Sequence, residues 1–274
     1  MTADPQVAPE VLAFYTETID ESERLTTSAD GALELVRTQE ILRPHLPPAP
    51  ARILDVGGGP GIHAQWLVND GYTVHVVDPV PRHIDQAAKT GATAELGDAR
   101  KLTADDRSYD AVLLLGPLYH LLERADRDQA LAEAARVVKP GGLIAAAAIG
   151  RYASLFEHVA TTMLDIDRVK DAVVDILATG IHAPGRKGFT AAYFHTAPSL
   201  AEEMTAAGLH DVTVRGIEGP AWAVLKGTEQ HTSESVRDTA MFRAALQAAR
   251  LAEPYPELLS ASSHMLALAT APRT

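Results

Sequence analysis

The apolar positions in the middle of the chain alternate between short continuous runs and longer stretches with helical spacing. The runs predict five strands, at Arg52–Val56, Thr73–Val77, Ala92–Leu96, Asp110–Leu115 and Gly142–Ile149. The stretches between them predict helices at His63–Asn69, Arg82–Lys89 and Arg127–Val138. Apolar strands separated by helices are typical of a parallel sheet covered on both faces. We therefore predict a doubly wound α/β fold that binds its ligands at the carboxyl ends of the strands.

The parts on either side of this region complete one predicted domain of 274 residues. Helix formers with apolar residues at helical spacing fill Val11–Leu46, and the prolines of Leu46–Pro50 end that segment because proline lacks an amide donor. Beyond residue 150 the pattern predicts, in order, helices Ala153–Met163, Asp165–Ala178 and Ser199–Ala207, strand Asp211–Ile217, helix Glu234–Leu251 and strand His264–Thr270. We divide the chain into a helical N-terminal lid (1–50), a ligand-binding core (51–150), an inserted lid (151–198) and a C-terminal completion of the sheet (199–274).

Composition excludes several classes of protein. Hydrophobic residues make up 46% of the chain, which is enough for a sizeable core. The net charge of −12 argues against nucleic acid and anionic membranes as partners, because both need a basic face. The absence of cysteine excludes disulfides and thiolate ligands, and no histidine pair has metal-ligand spacing with a carboxylate. The N-terminus does not resemble a secretory signal and no apolar run is long enough for a membrane span, so we expect a cytoplasmic protein.

The stretch "RILDVGGGPGIHAQWL" places a glycine-rich turn directly after the first predicted strand. A dinucleotide-binding turn has the spacing G-x-G-x-x-G, and Gly57 and Gly59 fit its first two places. The third place is Ile62, and the nearest glycine is Gly61. Asp55 would repel a pyrophosphate held at this turn, but it suits a cationic group such as an ammonium or a sulfonium.

Two further acids follow the second and third strands. Asp78 ends "VHVVD", where a carboxylate can accept hydrogen bonds from two ribose hydroxyls. Asp98 in "LGDARKL" can accept a hydrogen bond from the exocyclic amine of adenine. Together with Asp55, these acids describe a site for an adenosine that carries a positively charged tail.

Five segments in order give the chain its family resemblance: "ILDVGGGPG", "VHVVDP", "GDARKL", "YDAVLLLGPLYHL" and "EAARVVKPGGLIAAAAI". They resemble the motifs of class I S-adenosylmethionine-dependent methyltransferases of the small-molecule type. The resemblance implies a Rossmann-like sheet of seven strands, mostly parallel, with the final strand antiparallel between the fifth and sixth. It also implies S-adenosylmethionine as cofactor, and a lid and acceptor pocket formed by the segments before Pro50 and between Arg151 and Thr196.

The same resemblance implies roles for individual residues. The cofactor would be bound by Tyr15, Arg37, Asp55, Gly57, Gly58, Gly59, Gly61, Asp78, Pro79, Asp98, Ala99, Arg100, Leu115 and Gly116. Arg37 would neutralise the methionyl carboxylate, although lid packing or a surface position explains Tyr15 and Arg37 equally well. His120 and His195 are the candidate catalytic residues because an imidazole can serve as a general base near neutral pH. Apart from the resemblance, the aromatic side chains in and around the inserted lid suggest a small apolar or aromatic acceptor, and we expect it to contact Tyr119, Tyr152, Tyr193 and Trp222.

The predicted activity is methyl transfer to an oxygen, nitrogen or carbon nucleophile of a small molecule, such as a secondary metabolite. The fourth motif reads "LGPLYH" and lacks the Asn/Asp-Pro-Pro-Tyr/Phe pattern common in enzymes that methylate nucleic-acid bases or protein glutamine. Two alternatives stay open: an NAD(P)-dependent oxidoreductase, and a protein of this fold that binds an adenosyl ligand without turning it over. A monomer and a homodimer are both compatible with the sequence.

Overall fold

The computed structural model describes residues 8–18, 21–183 and 189–273. Its strands are β1 (Arg52–Val56), β2 (Thr73–Asp78), β3 (Thr93–Leu96), β4 (Tyr109–Leu114), β5 (Val138–Ile149), β6 (Ile181–His182), β7 (Ala192–Tyr193), β8 (His210–Gly216) and β9 (His264–Thr270). Its α-helices are α1 (Pro9–Ala13), α2 (Glu21–Thr27), α3 (Ala29–Leu42), α4 (Ile62–Asn69), α5 (Pro81–Ala87), α6 (Pro117–His120), α7 (Arg124–Val137), α8 (Ala153–Ala160), α9 (Asp167–Thr179), α10 (Ala197–Ala206), α11 (Trp222–Thr232), α12 (Ala240–Ala252) and α13 (Pro256–Leu259). A π-helical turn, Phe14–Thr18, continues α1.

Seven strands form the central sheet in the order β3-β2-β1-β4-β5-β9-β8. Strands β1 to β5 are parallel, and β9 runs antiparallel between β5 and β8. This confirms the predicted mostly parallel sheet and the position of its final strand. The remaining two strands, β6 and β7, pair antiparallel as a separate short hairpin inside the inserted segment.

Both faces of the sheet are buried, because successive side chains of a strand point to opposite faces. One face packs against α7 and α10 through a core that includes Leu54, Val112, Leu131 and Leu200. The other packs against α3 and α4 through a core that includes Ile53, Leu113, Leu42 and Leu67. The continuous apolar runs that predicted the strands therefore reflect burial on both sides of the sheet.

The inserted segment leaves and rejoins the sheet at one place. His195 donates its backbone N–H to the carbonyl of Ile149 at 2.8 Å, and Arg151 donates its backbone N–H to the carbonyl of His195 at 2.7 Å. Gly150 and His195 thus form a bridge at the end of β5. We call this place, where residues 149–151 are hydrogen-bonded to His195, the neck of the insert. The intervening residues carry α8, α9 and the β6–β7 hairpin.

The predicted helix Glu234–Leu251 is wrong at its start. Helix α11 ends before this range, where Ser233 has a left-handed backbone at φ 57°, and residues 234–239 are not helical. Helix α12 begins after Thr239, whose side-chain oxygen accepts a hydrogen bond from the backbone N–H of Phe242. A side-chain cap of this kind fixes where a helix starts, and the apolar spacing alone did not reveal it.

No helix within the described ranges combines the length and the apolarity needed to cross a bilayer.

Candidate functional site

A cavity of about 330 Å³ lies at the carboxyl ends of β1, β2, β3 and β4. The floor is made by the loops that follow these strands, where ligands bind in sheets of this kind. The roof is made by the N-terminal segment, through Ala8, Val11, Tyr15, Glu21, Arg24 and Leu25. The N-terminal helices therefore cover the edge of the sheet at which the sequence placed the ligand.

The glycine turn after β1 presents its backbone to this cavity. Gly57 and Gly59 have positive φ angles of 67° and 56°, which side-chain-bearing residues rarely adopt. A Cβ atom on Gly57 would lie 2.9 Å from Cδ of Pro117, and one on Gly58 would lie 2.6 Å from a carboxylate oxygen of Asp55. Only glycine fits at Gly57 and Gly58 without displacing these neighbours.

Gly61 has a different role from the one predicted. Its φ angle is 87°, but it is absent from the described wall of the cavity. A Cβ there would lie 3.0 Å from Cα of Ala87 in α5. The structure thus places Gly61 where the first turn of α4 packs against a neighbouring helix.

Asp55 lies under the glycine turn and not on its open face. Its side chain is fully buried, and neither carboxylate oxygen has a hydrogen-bond partner among the described residues. Burial, and to a lesser degree the charge of Asp78, raises the pKa of the Asp55 carboxyl to about 7. A cation or a hydrogen-bond donor brought to the turn would stabilise the ionised form of this buried, unpartnered carboxyl.

Replacing Asp55 by asparagine should change how stability depends on pH. The folded protein binds more protons at Asp55 than the unfolded chain between pH 3.8 and about 7, so this carboxyl makes the free energy of unfolding fall as pH rises through that window. The full effect is on the order of 3–4 kcal/mol. Urea unfolding of both proteins, free of ligand, should show the variant gaining on the wild type from acid to neutral pH. A constant difference across the window would contradict the raised pKa.

Asp78 is fixed by three donors at the end of β2. Its carboxylate accepts hydrogen bonds from the backbone N–H groups of Gly59 and Val80 and from Nδ1 of His83, each at 2.9 Å. The first of these bonds ties the acid to the glycine turn. The side chain of Asp78 lines the cavity, so its position relative to the turn is set before any ligand binds.

Asp98 is paired with Arg100 in this structure. Its Oδ1 accepts hydrogen bonds from the backbone N–H and Nε of Arg100 at 2.8 and 2.9 Å, and its Oδ2 accepts one from Nη2 at 2.7 Å. Arg100 also contacts Asp126 at 3.1 Å. These residues line the cavity, together with Pro79, Ala99, Leu115 and Gly116, which the sequence had also assigned to the cofactor.

Tyr15 and His120 meet between the roof and the floor. The Tyr15 hydroxyl lies 2.8 Å from Nε2 of His120, and the two rings stand edge to face with centroids 5.3 Å apart. Burial lowers the pKa of His120 to about 4, and burial raises the pKa values of Tyr15 and Tyr119. The three side chains are therefore uncharged at neutral pH. Phe189 of the insert packs on the rings of His120 and Tyr119 at 5.7 and 6.3 Å.

The structure does not bring Arg37 to the cavity. Its buried guanidinium forms ion pairs with Glu40 on its own helix and with Glu253 near the end of α12. Because both partners lie away from the described wall, this placement does not support the predicted contact with a methionyl carboxylate.

The other predicted residues that the structure places off the described wall are His195, Tyr152, Tyr193 and Trp222. His195 is fully buried, and its Nε2 lies 3.3 Å from a carboxylate oxygen of Glu203. The guanidinium of Arg127 stacks over the Tyr193 ring, 3.9 Å from the ring centroid. The indole N–H of Trp222 donates to the carbonyl of Ala261 at 2.9 Å. Tyr152 is 38% exposed. Each of these side chains either packs within the insert and its neighbours or faces solvent.

Glu21 and Arg24 are wall residues that the sequence analysis missed. Nε of Arg24 donates to Glu21 at 2.6 Å. A Cβ on Gly59 would lie 3.8 Å from Cγ of Glu21, so the acid lies over the glycine turn. An acid and a base three residues apart are usual on exposed helices, so the pattern "ESERL" carries no signal of a site.

The sheet order β3-β2-β1-β4-β5-β9-β8, with its antiparallel β9, is that of the class I methyltransferase fold. The glycine turn after β1 and the acids that end β2 and follow β3 lie together at the cavity. Comparison with known proteins agrees: residues 53–142 match the family model of the methyltransferase domain. The match covers about a third of the chain, and this part of the sequence is similar to methyltransferase domains.

Its similarity to individual proteins is partial in sequence and broad in fold. It is 40% identical over 120 residues to an uncharacterized methyltransferase of Mycobacterium tuberculosis, covering 42% of this chain and 48% of that one. It is 34% identical over 106 residues to the ubiquinone biosynthesis O-methyltransferase of Methylocella silvestris, covering 36% and 40%. The chain thus spans at most about half the length of these curated relatives. A solved S-adenosylmethionine-dependent methyltransferase of Thermotoga maritima has a TM-score of 0.59 at 17% identity, covering 96% of this chain and 99% of that one.

Proposed function

We propose that this protein is an S-adenosylmethionine-dependent methyltransferase that methylates a small molecule without a negatively charged group. The observation that carries the proposal is the cavity itself, which joins a glycine turn, two acids at strand ends and the Tyr15–His120 pair in one site. The domain family supports it, since residues 53–142 include the carboxyl ends of all four strands that border this site.

The residues present fit this cofactor. Asp78 and Asp98 lie where a ribose and an adenine amine would find acceptors. Glu21 and Arg24 place a carboxylate and a guanidinium beside the glycine turn. These two charges complement the ammonium and the carboxylate of the cofactor's amino-acid group. The unpartnered oxygens of Asp55 beneath the turn favour the positive end of the same group. Arg24 thus takes the role that the sequence analysis assigned to Arg37.

The bound cofactor supplies an electrophilic methyl group on a sulfonium, so the chemistry demands little of the protein beyond placement. The roof and floor exclude water and align the acceptor with that group. Nε2 of His120, uncharged at neutral pH and shared with the Tyr15 hydroxyl, is available to orient a protonated acceptor or take its proton. Phe189 holds the imidazole and the Tyr119 ring from the side of the insert.

The charges on the wall favour an acceptor without a negative group. Arg24 is paired with Glu21 and Glu34, and Arg100 with Asp98 and Asp126. These carboxylates would repel an anionic acceptor held beside them. The aromatic and imidazole side chains around Tyr15 instead favour contact with an apolar or aromatic molecule.

Calorimetric titration should distinguish the proposed function from an oxidoreductase. We expect the purified protein to bind S-adenosylmethionine and S-adenosylhomocysteine and not NADH or NADPH, because a dinucleotide pyrophosphate would lie close to Asp55 and Glu21. Binding of a nicotinamide nucleotide alone would refute the proposal.

A labelling experiment tests turnover and identifies the acceptor. The protein is incubated with methyl-labelled S-adenosylmethionine and a small-molecule extract of its host, and the labelled products are separated and identified. We expect one labelled product and an equal amount of S-adenosylhomocysteine. Binding of the cofactor with no transfer to any extract component would favour the non-catalytic alternative.

A further inference from the structure

Arg24 reaches the cavity from a short helix, and a residue outside the cavity wall fixes its direction. Nη1 and Nη2 of Arg24 donate to the two carboxylate oxygens of Glu34 at 2.8 and 3.1 Å. Two parallel bonds of this kind set the plane of the guanidinium as well as its position. Glu34 lies on α3, which packs on the central sheet, whereas Arg24 lies on α2 in the roof.

The Glu34 carboxylate also contacts His264, the first residue of β9. Nδ1 of His264 lies 3.6 Å from Glu34 and donates to Glu218 at 2.5 Å. The buried Glu218 also accepts hydrogen bonds from the Ser262 hydroxyl at 2.7 Å and the backbone N–H of His264 at 2.9 Å. Charges therefore alternate in sign along Arg24, Glu34, His264 and Glu218, which we call the charge chain.

The ionisation of these groups agrees with that alternation. Burial would raise the pKa of Glu34, but Arg24 and His264 outweigh it and hold that pKa at about 2. Burial would lower the pKa of His264, but Glu34 and Glu218 outweigh it and raise that pKa to about 9. Glu34, Glu218 and His264 also have the spacing of a metal site. Because Arg24 and a protonated His264 already neutralise both carboxylates, we interpret the cluster as an ion-pair chain.

Helices α2 and α3 approach each other closely beside Arg24 and Glu34. A Cβ on Gly31 of α3 would lie 2.4 Å from the carbonyl oxygen of Arg24. This close approach of the two helices is open only to glycine at this position. The position of Arg24 is thus set both by the contact of its backbone with Gly31 and by the hydrogen bonds of its side chain to Glu34.

We propose that Glu34, supported by His264, is a positioning residue that holds the Arg24 guanidinium toward the amino-acid end of the cofactor. The inference rests on the proposed function. Glu34 touches neither the cavity nor the ligand and acts through Arg24. Its loss should weaken ligands that carry the α-amino-acid group and spare those that lack it.

Calorimetry with two nucleosides tests this selectivity on the full chain. S-adenosylhomocysteine carries the α-amino-acid group, and 5′-methylthioadenosine has the same adenosine and sulfur without it. We expect Glu34→Gln to weaken S-adenosylhomocysteine about tenfold, the size of one charge-assisted contact, and to leave 5′-methylthioadenosine within about twofold. Equal weakening of both ligands, or no change in either, would overturn the proposal.

Glu40→Gln is the matched control, because Glu40 lies on the same helix and pairs with Arg37 and Arg250 away from the cavity. It should leave both affinities unchanged. If Glu34→Gln shows no cooperative unfolding transition, His264→Asn is tested in its place. This variant keeps a donor for Glu218 but removes the positive charge beside Glu34. An unchanged ratio of the affinities for S-adenosylhomocysteine and 5′-methylthioadenosine would then overturn the proposal. A wild-type protein that binds neither nucleoside would refute the proposed function itself.

Discussion

Replacing Asp78 by asparagine should abolish measurable binding of S-adenosylhomocysteine. The carboxylate accepts bonds from two backbone N–H groups and from His83, so an amide nitrogen at either oxygen position would face a donor at 2.9 Å. The same group is the proposed acceptor for the ribose hydroxyls. Loss of a buried, charge-assisted acceptor together with a misplaced glycine turn should cost about 3–5 kcal/mol of binding, or at least a hundredfold in affinity.

Asp85→Asn is the appropriate control for this variant. Asp85 is exposed on α5, the helix that follows Asp78 along the chain, and it does not line the cavity. Its replacement by asparagine therefore removes the same charge without altering the site. Calorimetry should show wild-type affinity for the control. Circular dichroism should show that the Asp78 variant keeps its fold. Affinity within about threefold of wild type for a folded Asp78→Asn would refute the ribose assignment.

Replacing His120 by alanine should lower kcat far more than it changes cofactor affinity. If Nε2 removes or orients the acceptor proton, its loss costs about 10²–10⁴-fold in rate. The affinity for S-adenosylhomocysteine should change little, since the imidazole lies beside Tyr15 and the aromatic end of the cavity. The measurement is methyl transfer to the acceptor found by labelling, with calorimetry on the same samples.

Two companion variants separate the chemical role of His120 from a structural one. His120→Gln keeps a polar group near Nε2 but cannot take a proton at neutral pH, so recovery of full activity would show that orientation suffices. Tyr15→Phe removes the partner of Nε2 and keeps the ring packing. A wild-type rate in His120→Ala would exclude the residue from the reaction.

The sheet could be predicted from the sequence because its strands are buried on both faces. Continuous apolar runs mark such strands, and the predicted bounds of β1 and β9 agree with the structure residue for residue. The acids followed from the same reasoning, since the carboxyl ends of parallel strands meet at one edge. Asp78 and Asp98 therefore lie at the cavity, although Asp98 is already paired with Arg100.

The roof of the site could not be predicted in the same way. Arg24 and Arg37 both lie on N-terminal helices, and only the packing of those helices decides which guanidinium faces the cavity. Arg37 turns away because Glu253, 216 residues further along the chain, lies beside it. His195 likewise follows its contact with Glu203 on α10. Such choices depend on how separate elements pack against one another, which local patterns do not reveal.

The neck of the insert has a consequence for protein engineering. Because the backbone of Ile149 and Arg151 is bonded to that of His195, the residues between leave the sheet and return to it through one hydrogen-bonded crossing. A segment of different length or origin could be spliced in there if its two ends reproduce those bonds and its apolar side chains replace the contacts that Ala153, Ile176 and Phe194 make in the core around Trp222 and Leu225. The contact of Phe189 with Tyr119 and His120 marks where such a graft would reshape the space beside the reactive end. The neck is therefore a defined junction for chimaeras that test whether the insert sets the preference for the acceptor.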